Sequence, residues 1–183
     1  MMQYNQRIIL KDGRLCVLRN GTAQDGQAAL DVFILAHTQT DFLLTYPDEI
    51  TFTANEQAEF LQKKTDSENE IELLAEVDGK IVGTAGIEQK SPKVKLRHRC
   101  DFGISIDKEY WSLGIGRALT DACIECARKA GYEQIELEVV ADNDRAILLY
   151  KKAGFLEFGR NPRDFKSRLT GYQEVIYMRK ELT

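Results

Sequence analysis

The sequence predicts a mixed α/β fold, with one layer of sheet and helices packed on it. Segments of alternating apolar and polar residues, typical of strands, are interleaved along the chain with segments of helical periodicity. The length of 183 residues is that of one ordinary domain, and neither a linker rich in Pro, Gly and Ser nor an internal repeat divides it. We therefore expect residues 1–183 to form a single domain.

The first half of the chain predicts two hairpins and two helices. Asp12-Gly13 and Asp78-Gly79 are hairpin-turn dipeptides. Thr22 is suited to cap a first helix, and the segment from Thr53 to Glu56 has the spacing of a capping box. The predicted elements are a hairpin over 7–19, a helix from 22 to about 37, a loop over 38–52, a helix from 53 to about 64, and strands over 71–77 and 80–88.

The second half contains the strongest helical pattern of the chain, over 114–130. Its apolar residues fall on one face, and Gly131 is a suitable stop. A second helix is ended by Gly154. The predicted elements are a strand near 99–106, the helix over 114–130, a strand over 134–140, a helix over 143–153, and strands near 155–159 and 172–178.

Composition and charge exclude several classes of protein. Apolar residues make up 43% and charged residues 30%, which fits a soluble globule and not a disordered chain. The longest apolar runs have five residues, whereas a membrane span needs about 20. The N-terminus does not resemble a secretory signal, so we expect a cytoplasmic location and no membrane association. The net charge of −4 argues against a nucleic-acid partner.

The cysteines and histidines predict no metal site. Cys123 and Cys126 form a CxxC pair, but a zinc site needs a second pair or two suitably spaced histidines. His37 and His98 lie far apart in the sequence, and both cysteines fall on the apolar stripe of the predicted helix. We expect buried thiols at these positions, without disulfides and without a metal.

A glycine-containing segment, Trp111-Ser-Leu-Gly-Ile-Gly-Arg-Ala-Leu119, opens the strongest helix. Gly114 and Gly116 would let a ligand approach the backbone, and the first turn of a helix offers unpaired N–H groups with positive potential. This suits a phosphate, to which Arg117 could add charge, although an ordinary helix start gives the same pattern. A P-loop motif is absent, and Leu119 occupies the third glycine position of a dinucleotide fingerprint, so a nucleotide-binding oxidoreductase is disfavoured.

A second segment, Asn143-Asp-Arg-Ala-Ile-Leu-Leu-Tyr-Lys-Lys-Ala-Gly-Phe155, begins with a residue that can cap a helix. Tyr150 falls on one helical face with Ala146 and Ala153. It could be a packed aromatic side chain, or its hydroxyl could reach a cleft and donate a proton. The spacing alone leaves both interpretations open.

The segments ISIDKEYWSLGIGRAL (104–119) and NDRAILLYKKAGF (143–155), with a helix and a strand between them, resemble the GNAT superfamily of N-acetyltransferases. The resemblance is specific over about residues 99–160. It implies a mostly antiparallel central sheet of about seven strands flanked by about four helices. In the family's motif, Gln/Arg-x-x-Gly-x-Gly/Ala, Trp111 stands at the Gln/Arg position and Ser112 replaces a frequent glycine, so Trp111 is not among the expected site residues.

The resemblance implies an enzyme that moves an acetyl group from acetyl-CoA to a primary amine. The amine would attack directly, through a tetrahedral intermediate and without a metal. The acceptor would be a small-molecule amine or a protein or peptide amine. A non-catalytic acyl-CoA-binding sensor or interaction module with the same fold is the alternative, and a homodimer is compatible with the family.

By the same resemblance, acetyl-CoA would lie between the strand ending at Ile106 and the strand over 134–140. Main-chain groups of Ile104, Ser105 and Ile106 would pair with the pantetheine arm, and an N–H of this strand would polarise the thioester carbonyl. Tyr150 would protonate the leaving thiolate, and Asn143 would contact the cofactor. The N–H groups expected to hold the pyrophosphate are those of Leu113, Gly114, Ile115, Gly116, Arg117 and Ala118.

The acceptor amine must lose a proton, because an alkylammonium has no lone pair with which to attack. Glu88 and Asp101 are candidate bases, although each could be an ordinary exposed carboxylate, and the choice stays open. The resemblance implies that the acceptor side lies at the first two helices and their connection, where residues 41–48 are aromatic and acidic. Such a segment would suit a cationic amine with an apolar body, and an ordinary loop with its apolar side chains in the core explains the same residues.

Overall fold

A computed structural model describes residues 2–182, which form eight strands and four helices in one mixed sheet with helices on both faces. The predicted fold class is confirmed, with one strand more than the seven expected. The strands are β1 (Asn5–Ile9), β2 (Leu15–Asn20), β3 (Ile71–Val77), β4 (Lys80–Gln89), β5 (Arg99–Ile106), β6 (Gln134–Val140), β7 (Leu156–Ser167) and β8 (Gly171–Glu181). The helices are α1 (Gly26–Gln39), α2 (Ala54–Asp66), α3 (Ile115–Lys129) and α4 (Asp144–Lys152).

The sheet order is β1-β2-β3-β4-β5-β6-β8-β7. Within residues 2–182 every neighbouring pair is antiparallel except β5 and β6, which run parallel. A parallel pair needs a crossover connection, and α3 provides it. The parallel pair therefore lies in the middle of the sheet, with the start of α3 at the end of β5.

Each face of the sheet has its own apolar core. On one face α3 packs Ile115 and Leu119 against the central strands. On the other face α1 and α2 contribute Ala29 and Leu61, which pack with Leu74 of β3. Successive residues of β3 therefore point alternately towards α3 and towards α1 and α2. We call the side of the sheet that α1 and α2 cover the α1–α2 face.

The C-terminal hairpin is longer than the sequence predicts. Strands were expected near 155–159 and 172–178, but β7 and β8 extend to a turn over 168–170. The sequence around Pro162 does not predict a strand, because proline and charged residues are unfavourable inside a sheet. β7 is an edge strand, and a register shift between Asn161 and Phe165 accommodates the proline.

The helix starts follow the predicted capping signals, with one difference. The Thr53 side chain accepts a hydrogen bond from the Glu56 N–H at 3.3 Å, which confirms the capping box of α2. After Thr22 the chain makes a short 3-10 turn before α1 begins at Gly26. Among residues 2–182, none of the helices combines the length and the apolar character needed to cross a membrane.

Candidate active site

An opening separates β5 from β6 in the middle of the sheet. The two strands pair only from Arg99–Gln134 to Asp101–Glu136, and beyond these residues they diverge. The opening belongs to a cavity of about 1060 Å³, lined on its two sides by residues 102–106 and 137–140. It lies where the sequence analysis places acetyl-CoA.

The start of α3 closes one end of this opening. Gly114, the residue before the helix, has φ +107° and provides no side-chain cap, and Ser112 has φ +66°. The N–H of Ala118 donates to the Gly114 carbonyl at 3.1 Å, so Ala118 is the first residue whose amide is paired within the helix. The amides available to a ligand in this turn are therefore those of residues 115–117, where the helix dipole adds positive potential. The Ala118 N–H, which the sequence analysis expects to bind pyrophosphate, is thus already paired with the Gly114 carbonyl.

The exposed edge of β5 offers main-chain groups to the opening. The Asp107 N–H donates to Val82 of β4 at 2.9 Å, and N–H groups alternate in direction along a strand. The main chain of Ser105 therefore also faces β4, whereas the main chains of Ile104 and Ile106 face the opening. Ser105 instead presents its hydroxyl to the α1–α2 face, 3.4 Å from the Thr84 hydroxyl.

The side chains of the other predicted cofactor residues have different surroundings. Arg117 and Asn143 line the cavity, but both already have partners. Arg117 pairs with Asp121 at 2.6 Å and donates to the Lys152 carbonyl, and Asn143 accepts from the Ala146 N–H at 3.3 Å as the cap of α4. The side chains of Leu113, Ile115 and Ala118 pack into or against the apolar core, so their contribution to a ligand is limited to the main chain.

Gly116 keeps α3 close to its neighbours. A Cβ atom at this position would lie 3.2 Å from Leu149 Cδ1 and 3.5 Å from Ile106 Cδ1, both on the cavity wall. We expect Gly116→Val to weaken acetyl-CoA binding about tenfold by forcing these side chains into the cavity, and to cost about 1–3 kcal/mol of stability. Titration by thermal shift measures both effects. Gly116→Ala is the matched control with a smaller effect, and equal affinity of wild type and the valine variant would contradict the prediction.

Tyr150 lies on α4 and lines the cavity with 7% of its surface exposed. Its ring packs between Phe102 and Phe155, with centroid distances of 6.1 and 5.9 Å. Within residues 2–182 its hydroxyl has no hydrogen-bond partner. Burial raises the pKa of Tyr150 well above its ordinary value, so the hydroxyl stays protonated and can act as a proton donor.

Trp111 and Arg145 are cavity residues that the sequence analysis missed. The indole Nε1–H of Trp111 donates to the Ile106 carbonyl at 2.8 Å, and the Arg145 guanidinium stacks 3.6 Å from the ring centroid. Trp111 thus fastens the loop before α3 to the end of β5. The departure from the family motif at position 111 was the one signal in the sequence that pointed to Trp111. Arg145 lies too far along the chain from Trp111 for their contact to be inferred from spacing.

The Trp111 hydrogen bond can be tested separately from the stack. Trp111→Phe keeps an aromatic ring for Arg145 but removes the bond to Ile106, and we expect the free energy of unfolding to fall by about 1 kcal/mol. Trp111→Leu removes both interactions and should lose about a further 1 kcal/mol. Urea unfolding of the three proteins measures the two steps. Identical stability of wild type and Trp111→Phe would show that the hydrogen bond contributes nothing.

A second cavity, of about 760 Å³, lies on the α1–α2 face. It shares residues 101–105 of β5 with the first cavity, so the two meet at the edge of the opening. Leu43 and Leu44 line both cavities, and Phe42 lines the first. The apolar part of the segment over 41–48 therefore lies at the cavities, on the side where the sequence analysis places the acceptor.

The acidic part of that segment has a different role. Asp41 accepts hydrogen bonds from Ser167 at 2.6 Å and from Gln173 at 3.2 Å, both on the C-terminal hairpin. Asp48 pairs with Arg168 at 2.7 Å, and this guanidinium lowers the pKa of Asp48. Both carboxylates thus fasten the loop to the hairpin, which makes them unavailable as the cation-binding groups that the sequence suggested.

The two candidate bases from the sequence are both paired with lysines. Glu88 lies 3.3 Å from Lys64 and its side chain is 68% exposed, and Asp101 lies 2.7 Å from Lys90 with 50% exposed. A third carboxylate, Glu72 of β3, lines the second cavity and is partly buried. Burial raises the pKa of Glu72 to about 7. In the sequence, Glu72 occupies a polar position of an alternating strand, as an ordinary solvated residue would. Nothing in the sequence therefore marks Glu72 as a candidate functional residue.

The four cysteines are buried free thiols, as the sequence predicts. Burial raises the pKa of each, to about 11 for Cys16 and Cys126 and further for Cys123. Thiols with raised pKa values are poor nucleophiles, so a covalent cysteine intermediate does not fit these residues.

The uncapped start of α3, the open edge of β5 and the buried Tyr150 all line one cavity in the middle of the sheet. Residues 35–155 match the family described as the Acetyltransferase (GNAT) family. The chain belongs to this family, whose members are acetyl-CoA-dependent acyltransferases.

Individual relatives agree with this assignment. The chain is 36% identical to the L-amino acid N-acetyltransferase AaaT of Escherichia coli over 109 residues, which are 58% of this chain and 65% of that protein. It thus spans slightly less than two thirds of that relative's length. The GNAT acetyltransferase structure from Streptococcus pneumoniae superposes with a TM-score of 0.86 at 31% identity, covering 91% of this chain and 99% of the other.

A more distant structure, determined with acetyl-CoA, has the same fold. The structure of yncA from Salmonella typhimurium, described as a putative acetyltransferase with its cofactor acetyl-CoA, gives a TM-score of 0.80 at 17% identity. The match covers 92% of this chain and 94% of that one. At this identity the comparison establishes the shared fold.

Proposed function

We propose that this chain transfers the acetyl group of acetyl-CoA to a primary amine, which attacks the thioester carbonyl directly. The observation that carries the proposal is the opening between β5 and β6, which ends at the uncapped start of α3 and passes Tyr150. The second cavity meets this opening at residues 101–105. Two substrates can therefore reach the same point from different sides, so the chemistry needs no covalent enzyme intermediate.

The start of α3 would hold the pyrophosphate of acetyl-CoA. The amides of Ile115, Gly116 and Arg117 are unpaired within the helix, and those of Leu113 and Gly114 precede them in the same turn. Six cationic side chains line the same cavity, and of these we expect four to attract the phosphates: Lys11, Arg117, Arg145 and Lys152. Asn143 lies on the same wall.

The edge of β5 would hold the pantetheine arm and the thioester. Ile104 presents its N–H and carbonyl to the opening, and the carbonyl of Ile106 is already bound to Trp111. An N–H of Ile104 or Ile106 would polarise the thioester carbonyl, a contribution worth about 3 kcal/mol in comparable sites. Ser105 would act through its hydroxyl, because its main chain faces β4.

Tyr150 would protonate the thiolate of CoA as it leaves. Its hydroxyl lies in the cavity, protonated and without a partner among residues 2–182. Since no group of the described part of the chain accepts this proton in a hydrogen bond, the hydroxyl can turn to the leaving sulfur.

The acceptor would be a cationic amine that enters through the second cavity. This cavity has Glu56, Glu72, Glu88 and Asp101 on its walls, with Lys64 as the basic residue, so its charge favours a cation. The relative AaaT is named for acetylation of L-amino acids. We therefore include α-amino groups of amino acids and of peptide N-termini, beside small-molecule polyamines, among the proposed acceptors.

Two measurements test the proposed function. Acetyl-CoA should raise the melting temperature of the protein, whereas NAD should leave it unchanged, because ligands stabilise only the state that binds them. Release of CoA thiol should then rise above background with at least one of spermidine, an L-amino acid and a short peptide with a free N-terminus. Stabilisation by NAD alone would exclude an acyltransferase, and binding of acetyl-CoA without transfer to any amine would favour a sensor.

A further inference from the structure

We infer that Glu72 is the group that takes the proton from the acceptor ammonium before the amine attacks. The inference rests on the proposed function. It begins with the register of the central strands, in which Glu72 of β3 faces Gly86 of β4, and Gly86 faces Gly103 of β5. On the α1–α2 face, the next two positions across the sheet from Glu72 are therefore glycines, which have no side chain.

The glycine next to Glu72 makes room for its carboxylate. A Cβ atom on Gly86 would collide with the Glu72 carboxylate, so the carboxylate occupies the space above β4. Neighbouring strands lie about 4.8 Å apart, which leaves the carboxylate roughly one strand spacing from β5. Apart from Gly103 itself and its two chain neighbours, no atom of residues 2–182 lies within 4 Å of the Cβ position of Gly103. An amine above Gly103 would therefore lie between Glu72 and the edge of the opening, where the thioester carbonyl would be.

Two hydroxyl groups connect Glu72 with β5. The Thr84 side chain is near enough to Glu72 to lower its pKa, against the larger effect of burial, and the Thr84 hydroxyl lies 3.4 Å from that of Ser105. Thr84 and Ser105 are buried and face each other across β4 and β5. They orient the carboxylate towards the strand that would hold the acyl group.

The charged and titratable groups around Glu72 leave it as the available base. Lys64 of α2 favours the ionised form and Glu88 of β4 disfavours it, and these two pair with each other. His37 of α1 has its pKa lowered by burial, and its Nδ1 bonds to the Phe33 carbonyl at 2.7 Å. The other groups that face Glu72 or couple to it are Glu56 of α2, Asp101 of β5 and the Cys123 thiol of α3.

The proton affinity of Glu72 suits this role. Its pKa of about 7 lies far closer to that of an alkylammonium than the pKa of an ordinary carboxylate does. In the step, one N–H bond of the ammonium breaks and Glu72 gains that proton, which later passes to solvent. The C–N bond then forms and the C–S bond breaks, and the second proton lost by nitrogen balances the one that the thiolate receives.

The test measures kcat/KM for acetyl transfer between pH 5.5 and 9.5, with whichever of spermidine, the L-amino acid and the peptide wild type acetylates fastest. For wild type we expect a rise with pH through about 7. Glu72→Gln should lower kcat/KM at pH 7 by about 100-fold or more and move the end of this rise from about pH 7 up to the pKa of the amine itself. The loss should shrink towards pH 10, where the amine loses its proton unaided, and with a fluorinated analogue of the amine that is already neutral at pH 7.

Further variants separate Glu72 from its neighbours. Glu72→Asp keeps the charge but shortens the reach over Gly86, so an intermediate loss is expected. Glu88→Gln and His37→Gln should keep the rise near pH 7, and its disappearance in either instead would assign the base to that residue. A carboxyl ¹³C resonance that titrates near pH 7 in wild type and is absent from Glu72→Gln is expected independently of turnover.

The outcomes also separate this inference from the proposed function. If wild type acetylates an amine and Glu72→Gln keeps the same pH profile, Glu72 is not the base and the proposed function stands. If wild type binds acetyl-CoA but acetylates none of the amines, the proposed function fails and the base assignment fails with it. In both cases the acetyl-CoA thermal shift of Glu72→Gln should equal that of wild type, because Glu72 lies outside the first cavity.

Discussion

Tyr150→Phe is expected to lower kcat for acetyl transfer by about 10²–10⁴-fold, the usual contribution of a positioned acid. The variant keeps the ring that packs between Phe102 and Phe155 and removes only a hydroxyl without a partner among residues 2–182. Stability and acetyl-CoA binding should therefore remain at wild-type values. Steady-state thiol release and thermal shift measure the two effects on the same samples.

Tyr132 provides a matched control for this substitution. It is also buried, its hydroxyl likewise lacks a partner within residues 2–182, and it lines neither cavity. Tyr132→Phe should leave kcat unchanged. An acetyl donor with a more acidic leaving group should also reduce the Tyr150→Phe defect, since such a group leaves without a proton. Unchanged turnover of Tyr150→Phe would remove Tyr150 from the acid role.

Glu72→Gln is expected to stabilise the folded protein at pH 8 by about 3 kcal/mol, or roughly 6–12 °C in melting temperature. Burial raises the pKa of Glu72 from 4.5 to about 7, so the folded state binds this proton more tightly than the unfolded chain does. The contribution of Glu72 to stability is thus fully present below pH 4.5 and is lost as the pH rises through about 7. Glutamine stays neutral and avoids that loss.

The stability difference should therefore depend on pH. Below pH 4.5 wild type and Glu72→Gln should have similar free energies of unfolding, and the difference should grow up to about pH 7 and then level off. Urea unfolding at several pH values measures it. Glu59→Gln, at an exposed position of α2, is the control and should change stability by less than about 0.5 kcal/mol at any pH. A destabilised Glu72→Gln at pH 8 would contradict the raised pKa.

The sequence predicted those parts of the fold that depend on local patterns. The apolar stripe of α3, the capping box at Thr53 and the turn at Asp78-Gly79 are each encoded within a few neighbouring residues. The glycine segment before α3 likewise identified the helix start that faces the cavity. The cytoplasmic location, the single domain and a homodimer remain predictions.

The parts that the sequence did not predict depend on contacts between distant residues. Glu72 is distinguished by Gly86 and Gly103, which become its neighbours only when β3, β4 and β5 pair. Trp111 precedes α3 and Arg145 lies on α4, so the two side chains become neighbours only in the folded protein. Such partners follow from register and crossover geometry, which one sequence does not specify.

The anchoring of the loop over 41–48 has a consequence for how this protein could diverge. Asp41 and Ser167 join two segments 126 positions apart, and Arg168 adds a second link through Asp48. The two segments are therefore joined beside Leu43 and Leu44, which line both cavities, whereas β5 and β6 are separate from these links. Under the proposed function, replacement of a few residues at the hairpin tip would move the loop over 41–48 and alter acceptor preference, while β5 and the start of α3 stay unchanged.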